Sequence, residues 1–408
     1  MEPASLRRLR LSNFKLNCLL DITKAINDNL PTDEILNKFE DILKKDLNIG
    51  KVLVFSYNKE WEYVLASGLN DDIIRQINVE DDLLEFTGIT PISTTLDTAI
   101  STFDVIIPVY HKDKALAYVL IGDIDEERDG ISPTIKHLHF IQTLTNIIIV
   151  AIENKRLYNE SIRQEALRRE LELASKMQNM LIPDPASLPV TEKYHVVAFY
   201  NPHLEVGGDY YDFIQLNENE FGFCIADVSG KGISAALLMS NFQANIRALF
   251  TAKIKLKDLI FRLNDRVMSS AKGEKFITLF VGRYNCETKR LEYINAGHNP
   301  PILYNSNNGK IKYLKDGCIG LGMFNEIEKI KKGNIKITDE TKLICYTDGL
   351  VEVENESNIE FGTEELAATI SEDKTIDIII NNVISKLKDH KGKKEYFDDI
   401  SIIGIEFF

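Results

Sequence analysis

The 408-residue chain has few cysteines, one tryptophan and no long apolar run, and it lacks the basic residues needed to balance its acidic ones. Its five cysteines are scattered and form no Cys-x-x-Cys pair. This is typical of reduced, buried thiols and argues against a disulfide framework. The apolar run Ile147–Ile152, one of the longest in the chain, is too short to span a bilayer. No apolar stretch follows the N-terminal arginines, so we expect no signal peptide, no membrane span and a cytoplasmic location.

The charge balance limits the classes of partner. A net charge of −14 argues against a general nucleic-acid binder, which needs a basic face to neutralise phosphates. It leaves a phosphoprotein substrate open, because bound metal ions can supply positive charge locally. The apolar content of 44% fits a globular protein, and the length predicts two domains with a connector.

The first 150 residues alternate helical and strand patterns. The periodicity predicts helices over 12–28 and 32–46, the second with Thr32 as its N-cap. Strand patterns cover 51–57, 61–66, 104–110 and 115–122. A polar turn at 111–114 joins the last two, and a long helical pattern begins near Pro133. We therefore expect a self-contained α+β domain over residues 1–152.

A charged helical segment without glycine or proline follows. Leu167, Leu171 and Ala174 alternate four and three residues apart, and Gln178 and Leu181 continue the spacing. Two interpretations stay open, namely a helix that packs on its own domains and a coiled coil that makes the protein a homodimer. Prolines 183 and 185 end the helix, so we expect a linker over 153–182 and a second domain over 183–408.

Acidic residues stand at the ends of apolar strands in the second domain. The segments are Phe221–Asp227, Lys342–Asp348, Asp398–Gly404 and the upstream cluster Gly207–Asp212. Carboxylates at strand ends, with glycines that allow close backbone approach, suit hard divalent cations such as Mg²⁺ or Mn²⁺. The pattern favours two ions, with Asp227 as the bridge and Asp209, Asp348 and Asp398 or Asp399 beside it.

Other readings of these segments are weaker. Ser229–Gly232 follows a strand and precedes a helix, but it lacks the spacing of a phosphate-binding loop. The one motif histidine, His298, has no obvious serine or cysteine partner, so the sequence predicts no protein nucleophile. A metal-bound water that attacks phosphorus in line fits the pattern better.

Five segments of the second domain resemble one family in their content and order. They are Gly207-Gly-Asp-Tyr-Tyr-Asp212, Ala226-Asp-Val-Ser-Gly-Lys-Gly-Ile-Ser-Ala-Ala236, Asn295-Ala-Gly-His-Asn-Pro-Pro301, Tyr346-Thr-Asp-Gly-Leu-Val-Glu352 and Asp398-Asp-Ile-Ser-Ile-Ile403. Together they are similar to the motifs of SpoIIE/RsbU-type phosphatases, the bacterial branch of the metal-dependent (type 2C, PPM) serine/threonine phosphatases. The resemblance implies an αββα sandwich with Mn²⁺ or Mg²⁺, two ions in all, at one edge.

The resemblance also implies roles for individual residues. Asp227 is the bridging ligand with the Val228 carbonyl, Asp348 and Asp398 complete one metal site, and Asp209 serves the other. Asp227 and Asp348 are the candidate catalytic residues. Asp399 is also a candidate in the metal site, supporting Asp398 as the favoured ligand. The turn after Asp227 carries Ser229 and Lys231, where relatives place a histidine, and these two are candidate substrate-binding residues.

The N-terminal domain resembles a GAF sensor module in its pattern of helices and strands. With the family resemblance, this implies a metal-dependent serine/threonine protein phosphatase under the control of a sensor that binds a small molecule or a protein. The implied substrate is a phosphorylated anti-sigma-factor antagonist of STAS type in a partner-switching pathway. The alternative is a non-catalytic, ligand-sensing scaffold, which the filled acidic positions disfavour.

Overall fold

The computed structural model describes residues 4–92, 99–111, 114–124, 137–337 and 340–408. The chain divides into two compact units, residues 1–165 and 166–408. No helix in the described ranges is both long and apolar enough to cross a membrane.

The N-terminal unit is built on a five-stranded antiparallel sheet of order β2-β1-β5-β4-β3. Its elements are α1 (Ala4–Asn27), α2 (Thr32–Asp41), β1 (Ile49–Asn58), β2 (Glu60–Ser67), α3 (Asp71–Arg75), α4 (Val79–Asp82), β3 (Thr90–Pro91), β4 (Val105–His111) and β5 (Lys114–Ile124). Helix α5 (Leu138–Asn179) starts in this unit. Successive residues of β1, such as Val52 and Leu53, point to opposite faces of the sheet and belong to separate apolar clusters. The sheet is therefore covered on both faces.

The main elements predicted for this unit are confirmed, with differences at their ends. Thr32 is the first residue of α2 and not its cap, because Pro31 precedes the helix and no side chain caps it. The second predicted helix changes at Ile42 to a π-helical turn that ends at Asp46. The inner residues of the turn over 111–114, and the helix start near Pro133, lie outside the described residues. The GAF assignment stays a prediction.

The C-terminal unit contains two packed sheets. Its elements are β6 (Tyr194–Asn201), β7 (Tyr210–Gln215), β8 (Glu220–Val228), α6 (Ile233–Leu249), α7 (Leu256–Ala271), β9 (Ile277–Asn285), β10 (Arg290–Ala296), β11 (Ile302–Asn305), β12 (Lys310–Tyr313), β13 (Gly317–Cys318), β14 (Gly333–Lys336), β15 (Thr341–Tyr346), α8 (Asp348–Val351), α9 (Gly362–Ile370), α10 (Ile376–Lys391) and β16 (Ile400–Phe407). One sheet has the order β13-β10-β9-β8-β7, with β14 also on β10, and the other has the order β12-β11-β15-β16-β6.

The four layers follow from the apolar clusters. The larger cluster joins inward residues of both sheets, such as Phe223 and Ile403, to buried residues of α6 and α7. A second cluster packs the outer face of the β15–β16 sheet on α8, α9 and α10. The α+β class is thus confirmed, with one departure from antiparallel pairing, because β10 and β13 run parallel.

The topology brings the acidic segments to one edge. β8 belongs to one sheet and carries Asp227 as its next-to-last residue. β15 and β16 belong to the other sheet. Asp348 follows β15 by two residues at the start of α8, and Asp399 directly precedes β16. Antiparallel pairing of β15 with β16 puts the end of one strand beside the start of the other, so both acidic segments meet there.

Candidate metal centre

Asp227 is the electrostatic centre of the acidic group. Burial, then the charges of Asp348, Asp398 and Asp399, raise its pKa to about 7. Burial, followed by repulsion from Asp398, also raises the pKa of Asp348. The negative charges of these carboxylates are therefore close enough to repel one another and are not balanced within the site.

Lys231 supplies part of the missing positive charge. Its ammonium lies 2.9 Å from Asp398 Oδ2, donates to the Phe397 carbonyl and sits 5.4 Å from the centre of the Phe397 ring. The same charge lowers the pKa of Asp227 and of Asp348, although burial and repulsion outweigh it. The predicted substrate-binding lysine is therefore bound to a predicted metal ligand.

Asp209 lies deepest in the group, with 2% of its surface exposed. Burial raises its pKa well above the ordinary value, and the charges of Asp227 and Asp399 add to that rise. Its Oδ2 accepts a hydrogen bond of 2.7 Å from the Thr347 hydroxyl, which in turn accepts from the backbone N–H of Ser401 at 2.9 Å. The Asp209 side chain is therefore held in place from the β15–β16 sheet.

Asp399 differs from its neighbour Asp398 in what its oxygens bind. Oδ1 accepts from the backbone N–H of His203 at 2.8 Å, and Oδ2 accepts from that of Gly208 at 2.6 Å, with Asp209 N–H farther away at 3.4 Å. Both oxygens are thus engaged by the backbone of one loop. The structure places Asp399 as the organiser of the segment that carries Asp209.

Two glycines permit this close packing. A Cβ on Gly207 would lie 2.4 Å from the Tyr200 hydroxyl and 2.5 Å from Asp399 Oδ2. A Cβ on Gly349 would lie 2.0 Å from the Asp399 carbonyl oxygen. Both distances are below van der Waals contact, so a side chain at either position would displace the acidic segments.

The donor set fits a hard divalent cation. All the candidate side-chain ligands are carboxylates, and burial followed by their mutual repulsion raises the pKa values of Asp209, Asp227 and Asp348. In the ranges that the structure describes, no three acidic, histidine or cysteine side chains converge closely enough to form a ready metal cluster. The carboxylates therefore lie at one edge of the sheets but do not converge on one metal position. A divalent cation, which carries more charge than the Lys231 ammonium, would relieve their repulsion.

Two other candidates are occupied by structural contacts. The Ser229 hydroxyl accepts from Phe276 N–H at 2.9 Å, and Ser229 N–H donates to the Phe276 carbonyl, so the predicted substrate-binding serine closes a turn. His298 is buried, and burial lowers its pKa to about 4. Its Nδ1 lies 2.8 Å from the Thr278 hydroxyl. A neutral, buried imidazole of this kind is not placed to act as a nucleophile.

The sequence pattern named Asp399 as a supporting residue but did not show which contacts hold the candidate ligands in place. Thr347 stands directly before Asp348, and nothing in the sequence around it indicates that its hydroxyl binds Asp209. The loop role of Asp399 depends on backbone donors nearly two hundred positions earlier in the chain. Only the Asp-Asp pair at 398–399 gave a signal, since two adjacent carboxylates at a strand start cannot both point the same way.

Asp212, the last residue of the Gly207–Asp212 motif, has a structural role away from the metal group. It is fully buried, and Arg247 contacts both of its oxygens, at 2.7 and 2.9 Å. The Tyr210 hydroxyl also donates to it. This cluster fastens β7 to α6 beneath the loop that carries Asp209.

We expect Arg247→Ala to lower the free energy of unfolding by roughly 2 kcal/mol, because it leaves the buried Asp212 carboxylate without its cation. The Arg247 side chain is half exposed, so the loss of unfolding free energy should be smaller than for a fully buried ion pair. Urea denaturation measures the effect. Arg290→Ala, which removes only a long contact to Asn334, is the control and should change stability by less than about 0.5 kcal/mol. Equal losses in the two variants would contradict the assignment.

The part of the chain that contains most of these carboxylates is similar to known proteins. Residues 217–408 match the family model described as "Stage II sporulation protein E (SpoIIE)". This part of the chain, a little under half of it, is similar to the SpoIIE family. The matched range contains Asp227, Asp348 and the Asp398–Asp399 pair, while Asp209 and Gln178 lie before it.

Curated relatives of this SpoIIE-type region come from Bacillus subtilis. The chain is 30% identical over 189 residues to "Phosphoserine phosphatase RsbP" and 28% identical over 194 residues to "Phosphoserine phosphatase RsbU". These matches cover 45% and 48% of the chain, and 46% and 57% of the relatives. The chain thus spans about half the length of the curated relatives it matches.

A solved structure supports the fold of the same region. The "SiaA-PP2C domain of Pseudomonas aeruginosa" aligns with a TM-score of 0.52 over 60% of this chain and 99% of that domain, at 18% identity. The likeness shows the fold, a PP2C-type sandwich, and agrees with the four layers of the SpoIIE-type unit.

Proposed function

We propose that the protein is a metal-dependent serine/threonine phosphoprotein phosphatase. The observation that carries the proposal is the group of partly buried, mutually repelling carboxylates at the strand ends of a SpoIIE-type domain. The names of the curated relatives support phosphoserine as the target. The proposed substrate is a phosphorylated anti-sigma-factor antagonist of STAS type, as the family resemblance implies.

Asp227, Asp348 and Asp398 would hold one Mg²⁺ or Mn²⁺ ion, and Asp209 with Asp227 a second, with the Val228 carbonyl as a further ligand. When bound, such ions supply an activated water and stabilise charge on the phosphoryl oxygens. Thr347 and Asp399 keep Asp209 in place through the hydrogen bonds described above. Lys231, which lies beside Asp398 and is partly exposed, can turn toward a substrate phosphate once another cation takes its place.

The direct test is release of phosphate from a phosphoserine protein and from an aryl phosphate, with Mn²⁺, with Mg²⁺ and after chelation. We expect release that depends on the metal and stops on chelation. A wild-type protein that binds neither ion and releases no phosphate would instead favour the ligand-sensing scaffold. A panel of phosphorylated STAS-type and unrelated phosphoproteins then tests the substrate class.

The linker helix carries the regulatory part of the proposal. Among the seam positions of the second half of α5, Leu167 and Ala174 are exposed and Leu171 is half-buried. Exposed apolar residues on a helix support a dimer seam. Gln178, the next position of the same spacing, is buried against Gly207, so the seam would end before it. We infer a homodimer in which a GAF-like sensor acts through this helix.

We expect Leu171→Glu to shift the sedimentation coefficient toward that of a monomer and to change phosphatase activity, because a charge at the seam cannot be buried without a partner. Lys176→Glu, on the opposite side of the helix by the same spacing, is the matched control and should leave sedimentation unchanged. If Leu171→Glu sediments like the wild type, the helix is a spacer and the dimer proposal fails.

A further inference from the structure

The last turns of α5 belong to the C-terminal unit and contact the rest of that unit through a buried polar side chain. Over residues 166–179, all of which the structure describes, Gln178 is the one buried side chain. It is 6% exposed, whereas the adjacent Met177 is 70% exposed. Helices usually dock through an apolar face, and buried amides persist where their hydrogen bonds are satisfied.

The Gln178 amide binds both polar groups of one backbone residue. Its Nε2 donates to the Gly207 carbonyl at 2.6 Å, and its Oε1 accepts from Gly207 N–H at 3.1 Å. Two hydrogen bonds to the same residue fix direction as well as distance. The contact therefore determines where Gly207 lies relative to the end of α5.

Gly207 leads directly into the candidate metal centre. The next residue, Gly208, donates to Asp399 Oδ2, and a Cβ on Gly208 would lie 3.0 Å from the Val228 carbonyl oxygen. Asp209 follows and is buried beside Asp227. Because this segment is packed closely on both sides, displacement of Gly207 would move Asp209 relative to the other candidate ligands.

We propose that Gln178 is a positioning residue, which fixes the segment Gly207–Asp209 from the end of α5 and thereby sets the metal affinity of the site. The inference rests on the proposed function, and it adds a residue that precedes the SpoIIE match. It also gives α5 a defined contact with the site, since a rotation or shift of its last turn breaks the amide bonds to Gly207.

The experiment compares Gln178→Leu with Gln243→Leu in the full chain. Gln243 is a matched control, because its side chain is similarly buried at 8% exposure and its amide donates to a different backbone carbonyl, that of Leu181. Mn²⁺ affinity is measured by calorimetry. Hydrogen exchange of the peptide spanning residues 203–209 is followed by mass spectrometry in metal-free protein, and kcat and KM are measured at low and saturating Mn²⁺.

For Gln178→Leu we expect Mn²⁺ affinity to fall about tenfold or more, which is the usual cost of losing a residue that supports a metal ligand. Exchange over 203–209 should become faster, and activity lost at low Mn²⁺ should return at saturating Mn²⁺. Gln243→Leu should match the wild type in all three. If the two variants have the same Mn²⁺ affinity and exchange, Gln178 is only a structural contact and the inference is overturned.

The exchange measurement needs neither metal nor substrate, so it separates the two proposals. Faster exchange in Gln178→Leu together with a wild type that releases no phosphate would retain the contact and reject the phosphatase. Unchanged exchange with an active wild type would retain the phosphatase and reject the contact.

Discussion

Replacing Asp227 by asparagine should reduce metal-dependent phosphate release by more than about 100-fold. Loss of a residue that hydrogen-bonds a metal ligand lowers metal affinity or activity by up to about 100-fold. The effect should be larger for Asp227, which is proposed as a direct ligand of both ions. Asparagine keeps the size of the side chain and removes its charge, so the loss reports on the carboxylate. Asp316→Asn is the control, since Asp316 is half exposed and pairs with Lys331 at the surface. Activity that survives Asp227→Asn would reject the two-metal site.

The same substitution should stabilise the protein after metal has been removed by chelation. Burial and repulsion raise the folded-state pKa of Asp227 to about 7, above its unfolded value near 3.8. The folded state therefore binds the proton more tightly, and the stability this gives is lost as pH rises from about 4 through 7. At pH 8 we expect the melting temperature of Asp227→Asn to exceed that of the metal-free wild type by roughly a few degrees. At pH 4 the difference should nearly vanish.

The sequence predicted the acidic group because its signal is local. Each of Asp227, Asp348 and Asp398 stands at the end of an apolar strand pattern, and strand ends on facing sheets meet at one edge. The α+β class and the strands of the N-terminal unit were predictable for the same reason, since alternation along a strand is visible within a few residues. The GAF assignment rests on the order of elements alone and gains no support from a specific residue.

What could not be predicted depends on contacts between distant segments. Asp399 and Gln178 both act on the loop 203–209, from opposite ends of the C-terminal unit's sequence. Neither pairing leaves a periodic pattern, because a side chain that bonds a backbone group places no demand on the residue type of its partner. Ser229 shows the converse, as its position in a motif suggested substrate binding while its hydroxyl closes a turn with Phe276.

The adjacent aspartates at 398 and 399 offer a sharp test of that distinction. We expect Asp399→Ala to lower the free energy of unfolding of the metal-free protein by about 4 kcal/mol, because it leaves the backbone N–H groups of His203 and Gly208 without acceptors. Asp398→Ala should cost no more than about 1 kcal/mol, since its carboxylate pairs with the partly exposed Lys231 and is itself partly exposed. Urea denaturation after chelation measures both.

Activity should separate from stability in this pair. Both variants should lose phosphate release, Asp398→Ala because a metal ligand is gone and Asp399→Ala because the Asp209 loop is no longer held. Asp398→Ala should nevertheless melt close to the wild type in the absence of metal and lose the rise in melting temperature that Mn²⁺ gives the wild type. If Asp398→Ala destabilises the metal-free protein as much as Asp399→Ala does, the two carboxylates share one structural role, and the assignment of Asp398 as a ligand is wrong.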